Sequence, residues 1–263
     1  MCIRDSQLAR RTSDRIVVLD KGEGPSEGST GASSAVIRTL YTQPNVVRLA
    51  LGGQQAYSNW SDFTRLSEPA NQFERAGVLW MLDFSAADAE ATAERLRTQG
   101  VRVSILNAQD VRERLPSMST CGTPFDLTGA IPHECIDIET ALFEEDGGFA
   151  NPTAANQDLI AAARREGAEI RFRSPVIGVQ TTGGRVSGVD LADGTRIDTP
   201  IIINAAGPWC NRLNELAGAD IPWTLAPTRR CSTRPSKCYF GRACCSGRSI
   251  RAGSTTKRCS PRC

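Results

Sequence analysis

Apolar residues along this chain follow two alternating periods, one near 3.6 residues and one of 2. Across residues 44–66, Val46, Val47, Ala50, Tyr57, Trp60 and Phe63 fall at helical spacing, and Pro44 suits the first turn. A second helix is predicted over 86–99, opened by Ser85 and Asp88 as a capping box and stopped by Gly100. A third covers 108–115 and ends before Pro116. A fourth covers 153–166 behind Asn151 as its cap, and a fifth covers 209–217. The strand-like runs are 15–20 (Arg-Ile-Val-Val-Leu-Asp), 73–82, 103–106 and 125–131, with the rest of 117–145 irregular. Downstream, 169–173, 175–182, 185–191 and 196–204 form a compact β pattern, with turns at Gly183-Gly184 and Asp193-Gly194. The run Ile201-Ile202-Ile203, flanked by alanines, reads as a buried strand.

Alternating helices and strands with a meander before the last strand imply an α/β fold. Residues 7–11 read as the last turn of the first helix of a βαβ unit. Such a unit, about 30 residues with a glycine fingerprint, would precede Asp20, and no Gly-x-Gly-x-x-Gly stands before that strand. The predicted architecture is an incomplete Rossmann-like sheet with a β-meander, from residues 7–40 and 150–228. A partial α+β substrate or cap domain is predicted over 41–149. No internal repeat is present.

Composition sharpens the boundaries. Forty per cent hydrophobic and 23% charged residues over 263 positions is ordinary for a globular chain. The net charge of +2 hides an asymmetry: residues 229–263 carry ten Lys or Arg and no acid, leaving 21 basic against 29 acidic residues before them. Six of the ten cysteines (Cys231, Cys238, Cys244, Cys245, Cys259 and Cys263) lie in the same stretch. It has no Cys-x-x-Cys pair and no histidine, which argues against zinc there. The favoured reading is out-of-frame translation or a disordered end; a basic arm that binds nucleic-acid phosphate non-specifically is the alternative. Residues 1–6, Met-Cys-Ile-Arg-Asp-Ser, match the translation of a common sequencing adapter, so an authentic start near Gln7 is expected. No apolar run reaches the ~18 residues of a membrane helix, and no secretory segment opens the chain, so a cytoplasmic location away from membranes is expected.

Three segments suit an adenine-linked cofactor. Asp20 closes an apolar strand, where a carboxylate can accept both hydroxyls of a ribose. The loop Gly28-Ser29-Thr30-Gly31-Ala32-Ser33-Ser34 and the segment Asn204-Ala205-Ala206-Gly207-Pro208-Trp209 are small enough to let the backbone approach a phosphate or ring. His133, the only histidine, sits in Ile-Pro-His-Glu-Cys at no metal or triad spacing, and Cys121 and Cys135 read as plain thiols, so no metal site is expected.

These segments, with Val17-Val18-Leu19-Asp20-Lys21, Ala35-Val36-Ile37-Arg38, Asp146-Gly147-Gly148-Phe149-Ala150-Asn151-Pro152 and Ser174-Pro175-Val176-Ile177-Gly178, resemble in order and separation the D-amino-acid oxidase and sarcosine oxidase superfamily of FAD-dependent oxidoreductases. The resemblance runs from residue 7 to about 228 and implies a glutathione-reductase-type FAD sheet truncated at both ends. It implies that Asp20, with Lys21 beside it, takes the adenosine ribose, where most relatives carry Glu. Ser29, Thr30, Gly31, Ala32, Ser33 and Ser34 would run along the pyrophosphate, ribityl chain and flavin. Val176 would meet the adenine through its backbone, and Ala205, Ala206 and Gly207 the pyrophosphate. Trp209 would cap the flavin side or simply pack. Arg38, in a segment where the sarcosine oxidase branch carries an arginine beside the flavin, would meet the substrate carboxylate, with Tyr41 a weaker candidate. A guanidinium suits this because it pairs with a carboxylate through two parallel hydrogen bonds and keeps its charge.

The loop has Ala32, Ser33 and Ser34 where some relatives attach flavin through His, so non-covalent FAD is expected. The implied activity is oxidation of the C–N bond of a secondary or tertiary amine or amino acid, of sarcosine or dimethylglycine type first and D-amino acids second. Trp80, Met81 and Tyr57 are candidates for an apolar substrate chamber, or core residues. The partner is then a small-molecule amine or amino acid, with no specific nucleic acid and an open choice of electron acceptor. The competing readings are an inert fragment unable to hold FAD, a binding protein with a basic arm, and a NAD-dependent dehydrogenase.

Overall fold

The computed structural model describes residues 3–81, 85–123, 132–219 and 221, with side chains from Ser6 onward. The chain enters through α1 (Ile3–Ala9) and β1 (Val17–Leu19), then crosses a long series of turns to β2 (Val36–Ile37). The helix predicted over 44–66 is two helices, α2 (Pro44–Ser58) and α3 (Trp60–Thr64). Asn59, at φ −124° and ψ 52°, leaves helical geometry and breaks them apart, and Arg65 ends the second in the left-handed region at φ +57°.

The strand predicted over 73–82 is also divided, into β3 (Phe73–Glu74) and β4 (Val78–Trp80), which belong to different sheets. Gly77 between them has φ +75°, and a Cβ there would lie 2.1 Å from the Phe143 ring, so glycine alone permits the bend. Leu82 lies outside the described residues. Helix α4 (Ala86–Arg97) starts where the capping residues place it: the Ser85 hydroxyl accepts the Asp88 N–H. Strand β5 (Val103–Leu106) leads directly into α5 (Ala108–Arg114), which has a full capping box between Asn107 and Asp110.

The predicted strand over 125–131 falls in residues 124–131, outside those described. Two strands the hydrophobic pattern missed follow: β6 (Ala141–Glu144) and β7 (Gly148–Ala150). They escape pattern reading because β6 ends on a glutamate that is only 1% exposed and β7 begins with glycine. Each is the central strand of a three-stranded antiparallel sheet, in the orders β4-β6-β5 and β2-β7-β3. Helix α6 (Pro152–Arg165) is capped by Asn151, whose side chain accepts the N–H groups of Thr153 and Ala154.

Beyond α6, β8 (Glu169–Arg171) runs parallel to β1 with Val17 opposite Glu169. The meander is β9 (Val176–Thr182), β10 (Arg185–Leu191) and β11 (Arg196–Asp198), with Gly183 and Gly184 both at positive φ in the first turn. A 3-10 turn (Gly207–Trp209) and α7 (Cys210–Leu216) close the described chain.

The buried strand predicted at 201–204 does not form. The backbone from 201 to 206 is irregular, and Ile201 and Ile203 are 71% and 48% exposed. Pro200 lacks the N–H that would carry β11 onward, and among the described residues no strand lies alongside to pair with this run.

Among the described residues three apolar clusters form the core. Val47, Ala89, Ala93, Leu96, Val101, Val103 and Leu142 join α2 and α4 to the β4-β6-β5 sheet. Val111, Leu106, Ala108, Ile138 and Ala141 gather under α5. Trp60 packs with Ala155 and Leu159 between α3 and α6. Among the described residues no helix is long and apolar enough to cross a membrane.

Candidate functional site

The end of β1 meets the return from β8. The Asp20 N–H donates to Arg171 O (2.9 Å), and its carbonyl accepts from Ser174 N (2.9 Å). This sets the Asp20 side chain at the edge of the parallel pair. Its Oδ1 accepts the Gly22 N–H at 2.8 Å, and Oδ2 takes no hydrogen bond among the described residues. Val176, expected to reach adenine through its backbone, begins β9 two residues past Ser174 and pairs with Leu191.

The loop that follows is a run of exposed turns. Gly31 passes so close to Ser26 that a Cβ would lie 2.0 Å from its carbonyl oxygen. Ser33 accepts the Ala35 N–H through Oγ (2.9 Å), and Ser33 N donates to Thr30 O (3.1 Å); Ser29, Ala32 and Ser34 are exposed beside them. The segment 205–209 returns to this corner. Lys21 Nζ sits 3.8 Å above the Trp209 ring, and the same ring lies 3.7 Å from where a Gly28 Cβ would be. Ala205 and Gly207 are exposed, Ala206 is half-buried, and Gly207 has φ +55°. The structure therefore brings Lys21, Gly28 and Trp209 together, with Asp20 beside them in sequence.

These residues suit a dinucleotide. The unused Asp20 Oδ2 is an acceptor for a hydroxyl. Asn156 on α6, 4% exposed, donates from Nδ2 to Ser26 Oγ (3.0 Å), while its buried Oδ1 has no partner, an orphan acceptor behind the glycine-rich loop.

On the far side of β2 the chain delivers Arg38. Its guanidinium carbon is 4.3 Å from the Tyr41 ring centroid and 4.9 Å from that of Trp80, and Nη1 donates to Leu40 O (2.8 Å). Among the described residues no carboxylate lies within ion-pair distance of Arg38. Beneath it, Glu144 accepts Thr39 N (2.5 Å), Leu40 N (3.1 Å), Trp80 Nε1 (2.6 Å) and the Thr39 hydroxyl. The carboxylate thus fixes the backbone on one side of Arg38 and the indole on the other. Sequence reasoning passed over it because glutamate in a short strand reads as solvated, and only burial distinguishes it.

The expected chamber does not assemble. Trp80 packs on the α2–α4 cluster, Met81 on the α5 cluster, and Tyr57 stacks on Trp60 at 4.8 Å in the third. Trp80 and Met81, neighbours at the end of β4, point to opposite faces, and Tyr57 on α2 belongs to a third cluster. Tyr57 instead borders an open cleft of about 420 Å³ with Trp60, Asn71, Phe73 and Arg75, and burial pushes its phenol upward. Asp158 on α6 was also missed. It accepts from Trp60 Nε1 (2.8 Å), Ala70 N (2.9 Å) and Asn71 N (2.8 Å), tying α6 to the 60–71 segment.

Cys121 and His133, read separately in the sequence, lie together, with Sγ 3.3 Å from Nε2. A hydrogen bond with Cys135 holds the Cys121 thiol down to about 7, and the same bond with burial pushes Cys135 up to about 11.

The family described as FAD dependent oxidoreductase, DAO, matches residues 6–240. Sarcosine oxidase subunit beta of Rhodobacter capsulatus is 24% identical over 185 residues, 68% of this chain and 40% of that protein. N-methyl-L-tryptophan oxidase of Escherichia coli O157:H7 is 26% identical over 207 residues, 78% of this chain and 50% of that protein. Among solved structures, L-proline dehydrogenase from P. horikoshii superposes with a TM-score of 0.67 at 22% identity, over 82% of this chain and 52% of its own. Glycine oxidase from Bacillus cereus gives 0.63 at 16% identity, over 81% of this chain and 54% of its own. The chain spans about half the length of the relatives it matches.

Proposed function

This chain belongs to the DAO family of FAD dependent oxidoreductases, and from that premise we propose that it serves oxidation of the C–N bond of a secondary or tertiary amine or amino acid, sarcosine- or dimethylglycine-like. The reading rests chiefly on Arg38. A half-buried guanidinium with no acid partner among the described residues, braced between Tyr41 and Trp80, is a ready anchor for a substrate carboxylate. Chain continuity supports the pairing with a cofactor, since one two-residue strand separates Arg38 from the glycine-rich loop.

In this reading Asp20 holds the adenosine ribose, Lys21 stands beside it, and Ser29 to Ser34 line the pyrophosphate and ribityl chain. Ala205, Ala206 and Gly207 give the backbone close approach, Val176 meets the adenine, and Trp209 covers the junction. FAD, held without a covalent bond, supplies a two-electron acceptor when bound. The protein's own work is then to orient the amine through its carboxylate on Arg38 and to keep that carboxylate desolvated against the aromatic faces. Water hydrolyses the imine product. Tyr41 acts here by bracing Arg38.

A second reading is a chain that folds but does not retain FAD. The exposure of Ile201, Ile203 and Trp209 and the two-stranded parallel sheet favour it. Flavin absorbance of the purified protein, before and after FAD is added, separates the two readings: a colourless, non-titrating preparation selects the second. Where FAD binds, anaerobic bleaching by sarcosine, dimethylglycine and D-alanine ranks substrates. Arg38→Ala should slow bleaching by carboxylate substrates about 10- to 100-fold while leaving FAD affinity unchanged.

A further inference from the structure

Beside the α5 cluster, two short segments form a small antiparallel ladder. Ile138 N donates to Thr120 O (2.8 Å), Gly122 N donates to Ile136 O (2.7 Å), and Cys121 bridges Asp137. Because side chains alternate across a strand, 121 and 123 on one segment share a face with 133, 135 and 137 on the other. Gly122 lets the segments close, since a Cβ there would come within 3.2 Å of the Ile138 side chain. The thiols of Cys121 and Cys135 and an imidazole nitrogen of His133 end within 4.8 Å of one another, the one group of three such ligands among the described residues.

We propose that Cys121, His133 and Cys135 form a zinc-class metal site with three protein ligands and one open position. Zinc binds thiolate sulfur at about 2.3 Å and imidazole nitrogen at about 2.0–2.1 Å, which puts S and N about 3.6 Å apart in a tetrahedron. The Cys121 to His133 separation is already 3.3 Å, and all three ligand atoms lie within 4.8 Å of one another. Asp137 is not a fourth ligand. Its carboxylate is engaged by Arg112 (2.8 Å) and by the Thr120 hydroxyl (2.6 Å), which leaves the fourth position to water or an incoming ligand. Two thiolates and a neutral imidazole balance a divalent charge, and binding expels two thiol protons. Thiolate donors select zinc over the hard cations magnesium and calcium. The spacing Cys-x11-His-x-Cys resembles no finger pattern, so the set becomes visible only when the ladder pairs residues a dozen positions apart.

Cobalt(II) is the direct probe, because its d–d bands report tetrahedral geometry and a sulfur-to-metal charge-transfer band reports thiolates. The whole 263-residue chain is used, reduced, with Cys2, Cys210 and the six cysteines beyond residue 230 changed to Ser to remove other thiols. One cobalt per chain with tetrahedral bands is expected, displaced by zinc, with a zinc-dependent rise in melting temperature. Cys121→Ser, Cys135→Ser and His133→Ala should each weaken binding roughly tenfold or more, with only the cysteine changes reducing the charge-transfer band. Absence of the band in the parent, or its full persistence in the Cys121→Ser, Cys135→Ser double variant, would overturn the site. So would rapid loss of two titratable thiols to a Cys121–Cys135 disulfide that zinc does not slow. Circular dichroism of each metal-free variant confirms that it is folded.

Discussion

The excursion from 41 to 149 and the flanking segments proposed to hold the cofactor are built from similar elements but finish differently. In the excursion, β6 is paired on both sides and α2, α4 and α5 cover it, so Val47, Leu96, Val111 and Leu142 are fully sequestered. In the flanking segments the parallel sheet has two strands among the described residues, and Ile201, Ile203 and Trp209 stand in solvent. One region is held by its own packing; the other presents small residues, loose acceptors and apolar side chains to solvent. Apolar surface left open carries free energy that a cofactor covering it would recover, at about 25 cal/mol per Å². The stable region therefore holds Arg38 in place, and the open one offers the corner proposed for the cofactor.

The sharpest way to break this contrast is Glu144→Ala. It strands the Thr39, Leu40 and Trp80 N–H groups in the interior, so urea unfolding should show a loss of about 3–4 kcal/mol. An effect below about 1 kcal/mol would mean the excursion is not organised around that carboxylate. Next comes Asp158→Ala, which cuts the link from α6 to the 60–71 segment. A loss of about 2–3 kcal/mol is expected, with the two halves melting separately, and one unshifted transition would refute the coupling.

Acid should loosen the α1–α6 seam. Arg165 first, and then Arg10, hold the Glu166 carboxyl below its ordinary value. A depressed folded value means the stabilisation is complete above the unfolded pKa, about 4.3, and is lost as pH falls through the folded one. The melting-temperature gap between the parent and Glu166→Gln should be constant from neutral pH to about 5 and narrow below about 4. A gap that widens in acid would contradict the seam. The smallest effect is expected for Ile203→Ser: within about 0.5 kcal/mol on the FAD-free protein, because the side chain is already exposed, but a measurable fall in FAD affinity. A large loss of stability without cofactor would show that this run is buried after all.

Much of this was legible without coordinates. Ser85, Asn151 and the Gly183-Gly184 turn act through neighbours two or three residues away, so their identity is enough to place α4, α6 and the meander. The family motifs were likewise legible, because backbone approach to a dinucleotide constrains residue size at fixed separations. Glu144, Asp158 and the Cys121–His133 pair were not. Glu144 reaches Thr39 105 positions away, Asp158 reaches Trp60 98 positions away and Cys121 meets His133 12 positions away, and no local pattern carries that information. The Ile201–Ile203 run failed in the opposite direction: its composition asks for a buried strand, but burial needs a neighbour, and none is present among the described residues.

By itself, then, the sequence determined helix starts, turn positions, the α/β alternation and membership in a flavin-dependent family, all of which depend on short-range sterics and hydrogen bonding. Tertiary structure alone decided which acids are buried, which aromatics share a cluster, that Arg38 has no carboxylate partner among the described residues, and that two thiols and an imidazole meet. Burial and long-range pairing are properties of surfaces brought together, and a linear string records the surfaces without recording their contacts.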